Sequence, residues 1–155
     1  MKNWIKLVIS LIIPFLASLI GGLFTTSDSE WYLSLIKPKF NPPGWVFGPV
    51  WTVLYILMGI SLYLVWSTKN KNKRIAFLIF GIQLFLNAFW SIAFFGLHNV
   101  LLSFIVIIFL LAAIIATMIY FYRINRFSAY LLLPYLLWVS FASILNFAIL
   151  YLNFL

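Results

Sequence analysis

Trp51, Trp90 and Trp138 differ from the other tryptophans of the chain in lying well inside uncharged apolar runs. Trp4, Trp45 and Trp66 fall at the ends of such runs, where indoles commonly anchor at a membrane surface, and Trp31 lies between two runs. An indole at depth can stack on a flat ligand and is readily oxidised, but it is no acid or base. Asn87, Trp90 and Ser91 follow an i, i+3, i+4 spacing, and Trp138, Ala142 and Leu145 an i, i+4, i+7 spacing, so each set occupies one face of a helix. Asn87 and Asn146 are costly against lipid and must face a bundle interior or a cavity. For Asn146 an interhelical hydrogen bond accounts for the residue; Asn87, beside Trp90, fits a pocket wall equally well.

Conventional catalysis lacks its reagents. The chain has no cysteine, which removes disulfides, thiolate nucleophiles and cysteine-based zinc sites together. Its single histidine, His98, falls in a turn without plausible metal partners, and no metal site is expected. Asp28 and Glu30 are the only acids, both in one loop, where they read as solvated charges rather than an acid/base pair. Serines and threonines have no base to activate them.

The elements that position these residues are membrane spans. Of 155 residues, 66% are hydrophobic and 8% charged, against about a quarter charged in a soluble domain. Five runs free of Asp, Glu, Lys and Arg reach the roughly 20 residues a bilayer crossing requires: Leu7 to Phe24, Gly44 to Trp66, Ile75 to Phe95, Val100 to Tyr122 and Ala129 to Tyr151. The fold class is therefore all-α, a single membrane domain over residues 1–155. A cleaved signal peptide is the alternative for the first run; Gly21-Gly22 makes a poor cleavage site and the run exceeds an ordinary signal core. At 1.5 Å per residue, Trp51 lies about 10 Å inward from the start of the second span, Asn87 and Trp90 about 8 to 12 Å from the end of the third, and Trp138 and Ala142 about 20 and 14 Å from the end of the fifth. These depths overlap in one half of the bilayer.

Charge sets the orientation. Lys2, Lys6, Lys69, Lys71, Lys73, Arg74, Arg123 and Arg126 fall on one side, and Lys37 and Lys39 on the other. This asymmetry places the N-terminus in the cytoplasm and the first loop and C-terminus outside. It also explains the net charge of +8 without nucleic acid as a partner. The first loop, Thr25 to Pro43, is the only long connection, stiffened by Pro38, Pro42 and Pro43 and carrying Trp31-Tyr32. It is either an interfacial loop with aromatic anchors or a lid. Pro49 and Pro134 are helix-start prolines or kinks, and Gly44-x-x-x-Gly48 offers close helix packing. No internal repeat of the kind that builds inverted-repeat transporters is apparent.

The stretch Trp31-Tyr32-x-x-Leu35-x-Lys37-Pro38-x-Phe40-x-Pro42-Pro43-x-Trp45-Val46-Phe47-x-Pro49-Val50-Trp51-x-x-Leu54-Tyr55 resembles the most characteristic segment of the TspO/MBR family. Leu86-Asn87-x-x-Trp90-Ser91 and Pro134-Tyr135-x-x-Trp138-x-x-Phe141-Ala142-x-x-Leu145-Asn146 agree with it, in order and across essentially the whole chain.

The resemblance implies a five-helix bundle, usually a homodimer, whose cavity opens toward the first loop and takes protoporphyrin and related tetrapyrroles, or synthetic benzodiazepine-type and isoquinoline carboxamide ligands. Trp51 and Trp138 match the tryptophans of the porphyrin site and of a proposed light-dependent breakdown of porphyrin. Asn87, Trp90, Ala142 and Leu145 match cavity positions, with Ser91 beside them, and Trp31, Tyr32 and Pro42 match the lid. No cofactor is required, porphyrin being ligand or substrate. The cholesterol-recognition pattern of mammalian members needs Lys or Arg soon after a Tyr, whereas Tyr151 here is followed by Leu152-Asn153-Phe154-Leu155; cholesterol is not expected, and a bacterial plasma membrane is. A receptor or sensor that sequesters a tetrapyrrole, a catalyst of its photo-oxidation and a transporter of porphyrin or another hydrophobic molecule are the competing functions.

Overall fold

The computed structural model describes residues 1–69 and 72–155; Lys71, one of the eight cations counted on the basic side, lies outside the described residues. Among the described residues, five helical spans are long and apolar enough to cross a membrane. They are α1 (Asn3–Gly22), α3 (Gly44–Ser67), α4 (Arg74–Ser91) with its continuation to Gly96, α5 (Val100–Ile124), and a fifth span divided into α6 (Arg126–Leu131) and α7 (Leu133–Phe154). A short α2 (Glu30–Ser34) lies in the first loop. The helices run past the uncharged runs because long cationic side chains can leave a terminal turn for water, so Lys6 sits in α1 and Arg123 in the last turn of α5.

The spans close a ring in which α1 packs on α3 and α4, α4 on α5, α5 on α6 and α7, and α6 on α3. Aliphatic and aromatic residues of α3, α4, α5 and α7 fill its centre, among them Met58, Phe80, Leu110, Phe121 and Tyr135. A second cluster forms at the loop end from Tyr32, Leu35, Phe94, Val100, Leu145 and Ile149. Leucines and phenylalanines on the outer surface face what would be lipid, so their exposure costs nothing there.

Two local features shape the loop end. After Ser91 the helix widens into a π turn, Ile92–Gly96, closed by the Leu97 N–H donating to the Ile92 carbonyl at 2.8 Å. The extra residue turns Phe94 and Phe95 inward together, where their rings lie 4.8 Å apart. His98 then reverses the chain with a left-handed φ of 52°.

Pro134 is a helix-start proline, as its position suggested, whereas the close packing glycine is not the one anticipated. Pro49 sits inside α3 without breaking it. Pro134 is the second residue of α7 and its missing N–H marks the break at Leu132. Gly44-x-x-x-Gly48 does not hold a helix, since a Cβ on Gly48 would meet nothing within 4 Å and one on Gly44 only Ser27. The close approach is at Gly59, where a Cβ would stand 2.8 Å from Leu11 Cα. At the basic end, Lys73 donates to the Trp66 carbonyl at 2.7 Å, and its ammonium is held below the usual lysine range by burial and by neighbouring Lys6. The N-terminus and the second loop therefore share one end of the bundle.

Candidate ligand pocket

A cavity of about 480 Å³ opens among the C-terminal end of α1, the first loop, the N-terminal half of α3 and the C-terminal half of α4. Its volume lies within the roughly 300 to 1,000 Å³ of small-molecule sites. Trp45, Phe47, Trp51, Trp90, Phe95 and Tyr32 supply aromatic walls, and Gly21, Gly22, Gly44 and Gly48 contribute open backbone. Gly22 and Gly48 leave room there, since a Cβ on either would meet nothing within 4 Å, whereas one on Gly21 would touch Ser91 at 3.4 Å.

The polar floor is a directed hydrogen-bond chain. Tyr55 donates its hydroxyl to Asn87 Oδ1 at 2.6 Å, Asn87 Nδ2 donates to the Tyr135 hydroxyl at 3.0 Å, and Tyr135 donates onward to Gln83 Oε1 at 2.8 Å. Asn87 is 4% exposed, so both ends of its amide have to be satisfied internally. One N–H and one lone pair of that amide remain, which suits it to meet a polar group of a ligand. Trp51 stacks on Tyr55 at 5.6 Å and meets Tyr135 edge-on at 6.2 Å, so the same tyrosines position the indole and the amide.

Trp90 is oriented by its ring nitrogen, which donates to Asn146 Oδ1 at 2.9 Å, while Asn146 Nδ2 reaches the Val100 carbonyl at 3.2 Å. Asn146 thus joins α4, α5 and α7, the interhelical role anticipated for it. With its N–H engaged, Trp90 offers the pocket only its ring.

The first loop covers the cavity. Ser29 caps α2 by accepting from the Tyr32 N–H at 3.2 Å, and the Tyr32 ring packs against Phe95 at 5.6 Å and Phe94 at 6.3 Å. Burial raises the Tyr32 phenol above its ordinary pKa, with a hydrogen bond from Asn41 opposing the shift. The Lys37 ammonium lies 4.5 Å from the centre of the same ring. Beyond α2 the loop is fastened to the end of α7 by Asn153.

A model of the TspO/MBR family matches residues 10–152. The chain belongs to the TspO/MBR family. It is 46% identical over 152 residues to the "Tryptophan-rich protein TspO" of Archaeoglobus fulgidus, covering 97% of this chain and 99% of that one. It is 34% identical to the "Tryptophan-rich sensory protein" of Cereibacter sphaeroides, with 93% and 92% covered. It is 33% identical to the human "Translocator protein", with 94% and 89% covered. Together with its five spans, the family marks it as an integral membrane protein.

Tyr32, Trp51, Asn87, Trp90 and Ser91 meet at this TspO/MBR pocket. Ala142 and Leu145 line a narrow cleft of about 30 Å³ beneath Tyr32 and Trp90. Trp138 stands apart, in an apolar groove between α3 and α7 with Val50, Pro134 and Phe141, and Phe47 separates it from the pocket, ring centres 6.0 Å apart. Trp31, in α2, does not line the pocket and stacks on His98 with ring centres 4.3 Å apart. Pro42 is outside the pocket wall, its carbonyl accepting from Asn41 Nδ2 at 3.2 Å.

Sequence reasoning passed over Ser18, Thr25, Ser27 and Thr52, all lining the pocket. Small hydroxyls are unremarkable in membrane helices, where they bond their own backbone, as Thr52 does to the Gly48 carbonyl at 2.8 Å. Only tertiary proximity, such as Thr25 Oγ1 to Ser91 Oγ at 3.4 Å, distinguishes them. Among the described residues no group of histidine and acidic side chains could hold a metal ion.

Proposed function

We propose that this TspO/MBR protein is a membrane receptor or sensor that binds a flat hydrophobic ligand of the tetrapyrrole class, protoporphyrin IX being the type, beneath its first loop. The observation that carries this reading is the union of aromatic walls with one polar floor, Trp51 and Trp90 beside Asn87, in a cavity of about 480 Å³. Indole faces supply stacking at roughly 1 to 3 kcal/mol per good contact, by analogy with nucleobases. Asn87 and the hydroxyls supply orientation. The names of the relatives, a sensory protein and a translocator protein, agree with a receptor of this kind. Benzodiazepine-type and isoquinoline carboxamide ligands have the flat aromatic character the same walls accept.

Any chemistry would reside in the ligand. A porphyrin absorbs light and activates dioxygen, and Trp51 places an oxidisable indole against it. Trp138 would act through Phe47. A homodimer in a bacterial plasma membrane, with the basic end in the cytoplasm, completes the reading.

Titrating the purified protein with protoporphyrin IX tests it. Binding near one ligand per chain is expected, weakened about tenfold or more by Trp51→Ala and by Asn87→Ala. Affinities unchanged in both variants would remove the pocket from the reading. A transporter is the competing function, and porphyrin flux across vesicles carrying the protein would replace the receptor with it.

A further inference from the structure

A second groove, of about 390 Å³, lies at the opposite end of the bundle between α5 and the α6–α7 break. Ile115, Ile119, Leu133 and Leu136 wall it, and Arg123 lines it in the last turn of α5. Ile115 and Ile119 are about half exposed, at 44% and 48%, so the groove faces what would be lipid. The Arg126 guanidinium lies 5.5 Å from the ring centre of Tyr122, itself in the groove wall, and Tyr122 meets Tyr130 edge-on at 6.0 Å. The Arg123 guanidinium lies 5.7 Å from the Tyr120 ring. Aromatic faces hold a guanidinium in place without neutralising it, and leave its N–H groups for another partner.

That partner cannot be an acidic side chain of the same chain. The two acids, Asp28 and Glu30, both lie in the first loop, at the other end of the spans. Two arginines therefore stand at one end of an apolar, membrane-facing groove with their counter-charge still to be supplied. A phosphodiester meets a guanidinium fork bidentately, and the acyl chain attached to it needs an apolar trough. Basic pockets between spans recognise anionic headgroups on this principle.

We propose that this groove is a binding site for an anionic phospholipid, an acyl chain lying between α5 and α7 and the phosphate held by Arg123 and Arg126. The occupant is a lipid rather than a soluble phosphate, because most of the lining is aliphatic and opens to the side of the bundle. The site is separate from the ligand pocket and does not rest on what that pocket binds.

Native mass spectrometry of the delipidated full chain in detergent tests the site with two lipids of the same acyl chains, dioleoyl phosphatidylglycerol and dioleoyl phosphatidylcholine. One phosphatidylglycerol should be retained per chain at about tenfold lower concentration than phosphatidylcholine. Arg123→Gln with Arg126→Gln should abolish that preference, and Arg123→Lys with Arg126→Lys, which keeps the charge and loses the fork, should weaken it several-fold. Lys2→Gln with Lys6→Gln removes equal charge away from the groove and should leave it unchanged. Leu133→Trp, which fills the groove, should lower retention of phosphatidylglycerol, and glycerol phosphate should not compete.

Equal retention of the two lipids would show that the headgroup charge is not recognised, and equal loss of preference in the Lys2→Gln with Lys6→Gln and the Arg123→Gln with Arg126→Gln proteins would reduce the effect to general surface charge; either result would overturn the site. Effective competition by glycerol phosphate would make it a soluble-phosphate site instead. Loss of a dimer peak in place of a lipid adduct on arginine substitution would assign the groove to a second copy of the chain.

Discussion

Asn153 and Ile36 bind each other twice: the Ile36 N–H donates to Asn153 Oδ1 at 2.9 Å, and Asn153 Nδ2 donates to the Ile36 carbonyl at 2.9 Å. A side-chain amide here imitates a paired strand and pins the first loop to the end of α7. The loop is thereby tied at a point remote from the pocket it covers.

Asn153→Ala removes both bonds while leaving every pocket residue in place. At about 0.5 to 1.5 kcal/mol each, their loss should raise the dissociation rate of a bound porphyrin about tenfold and alter its association rate less. Stopped-flow displacement measures both. Unchanged dissociation would make the loop a spacer rather than a lid, and Trp31→Ala with Tyr32→Ala should then be equally silent.

The Tyr55–Asn87–Tyr135–Gln83 chain separates binding from stability. Asn87→Ala takes the acceptor from the buried Tyr55 hydroxyl, at about 1 to 3 kcal/mol, leaves Tyr135 only its bond to Gln83, and also removes a pocket residue. Tyr135→Phe should lower thermal stability comparably yet leave ligand affinity within about threefold, because Tyr135 lies beneath the pocket wall. Melting temperature and affinity measured on both variants decide the matter; equal affinity losses would mean the network acts as one binding unit.

Glycines at two positions of α3 make opposite predictions. Gly59→Ala drives a methyl to 2.8 Å from the Leu11 backbone and should destabilise the fold by about 1 to 3 kcal/mol. Gly48→Ala meets nothing and should be neutral for stability while shrinking the pocket. Thermal unfolding in detergent compares them, and the reverse order of stabilities would contradict the packing of α1 on α3.

Under equal illumination in air, Trp51→Phe should bind porphyrin within several-fold of the parent and degrade it markedly more slowly, since phenylalanine keeps a stacking face without the indole's oxidisability. Trp138→Phe, acting across Phe47, should have a smaller effect on the rate. Parental degradation in both variants would reduce the tryptophans to packing and leave a passive receptor.

A reporter fused at the C-terminus should appear outside the cell, as the eight-to-two division of cations requires. Its recovery in the cytoplasm would invert the bundle and place the pocket on the inner face.

Five spans could be foreseen because lipid demands long uncharged runs; the helices pass those runs where Lys6, Arg74, Arg123 and Arg126 join them, and the break at Leu132 in the fifth span was not foreseen. The pocket was foreseen in part. Asn87, Trp90 and Ser91 share a face of one helix, and periodicity alone keeps them together. Trp51 and Trp138 lie about 10 and 20 Å from the loop-side ends of their spans, a comparison of depth that says nothing of azimuth, and Phe47 stands between them. The π turn at Ile92–Gly96 leaves no hydrophobic signature, because the residues it displaces are apolar either way. Gly44 and Gly48 carry the spacing of a packing motif yet line a cavity, a distinction that only the neighbouring helix can make.

The wall of the pocket formed by Ser18, Gly21 and Gly22 belongs to α1, the shortest of the five spans at 20 residues. Its axial length is about 30 Å, against about 37 Å for the 25 residues of α5. A bilayer matched to the longer helices stretches past the ends of α1, and mismatch is relieved by tilting or sliding the segment that fits least well. Cells that thicken or thin their membrane with growth temperature would therefore be adjusting, through one short stave, the width of the chamber proposed as the ligand site.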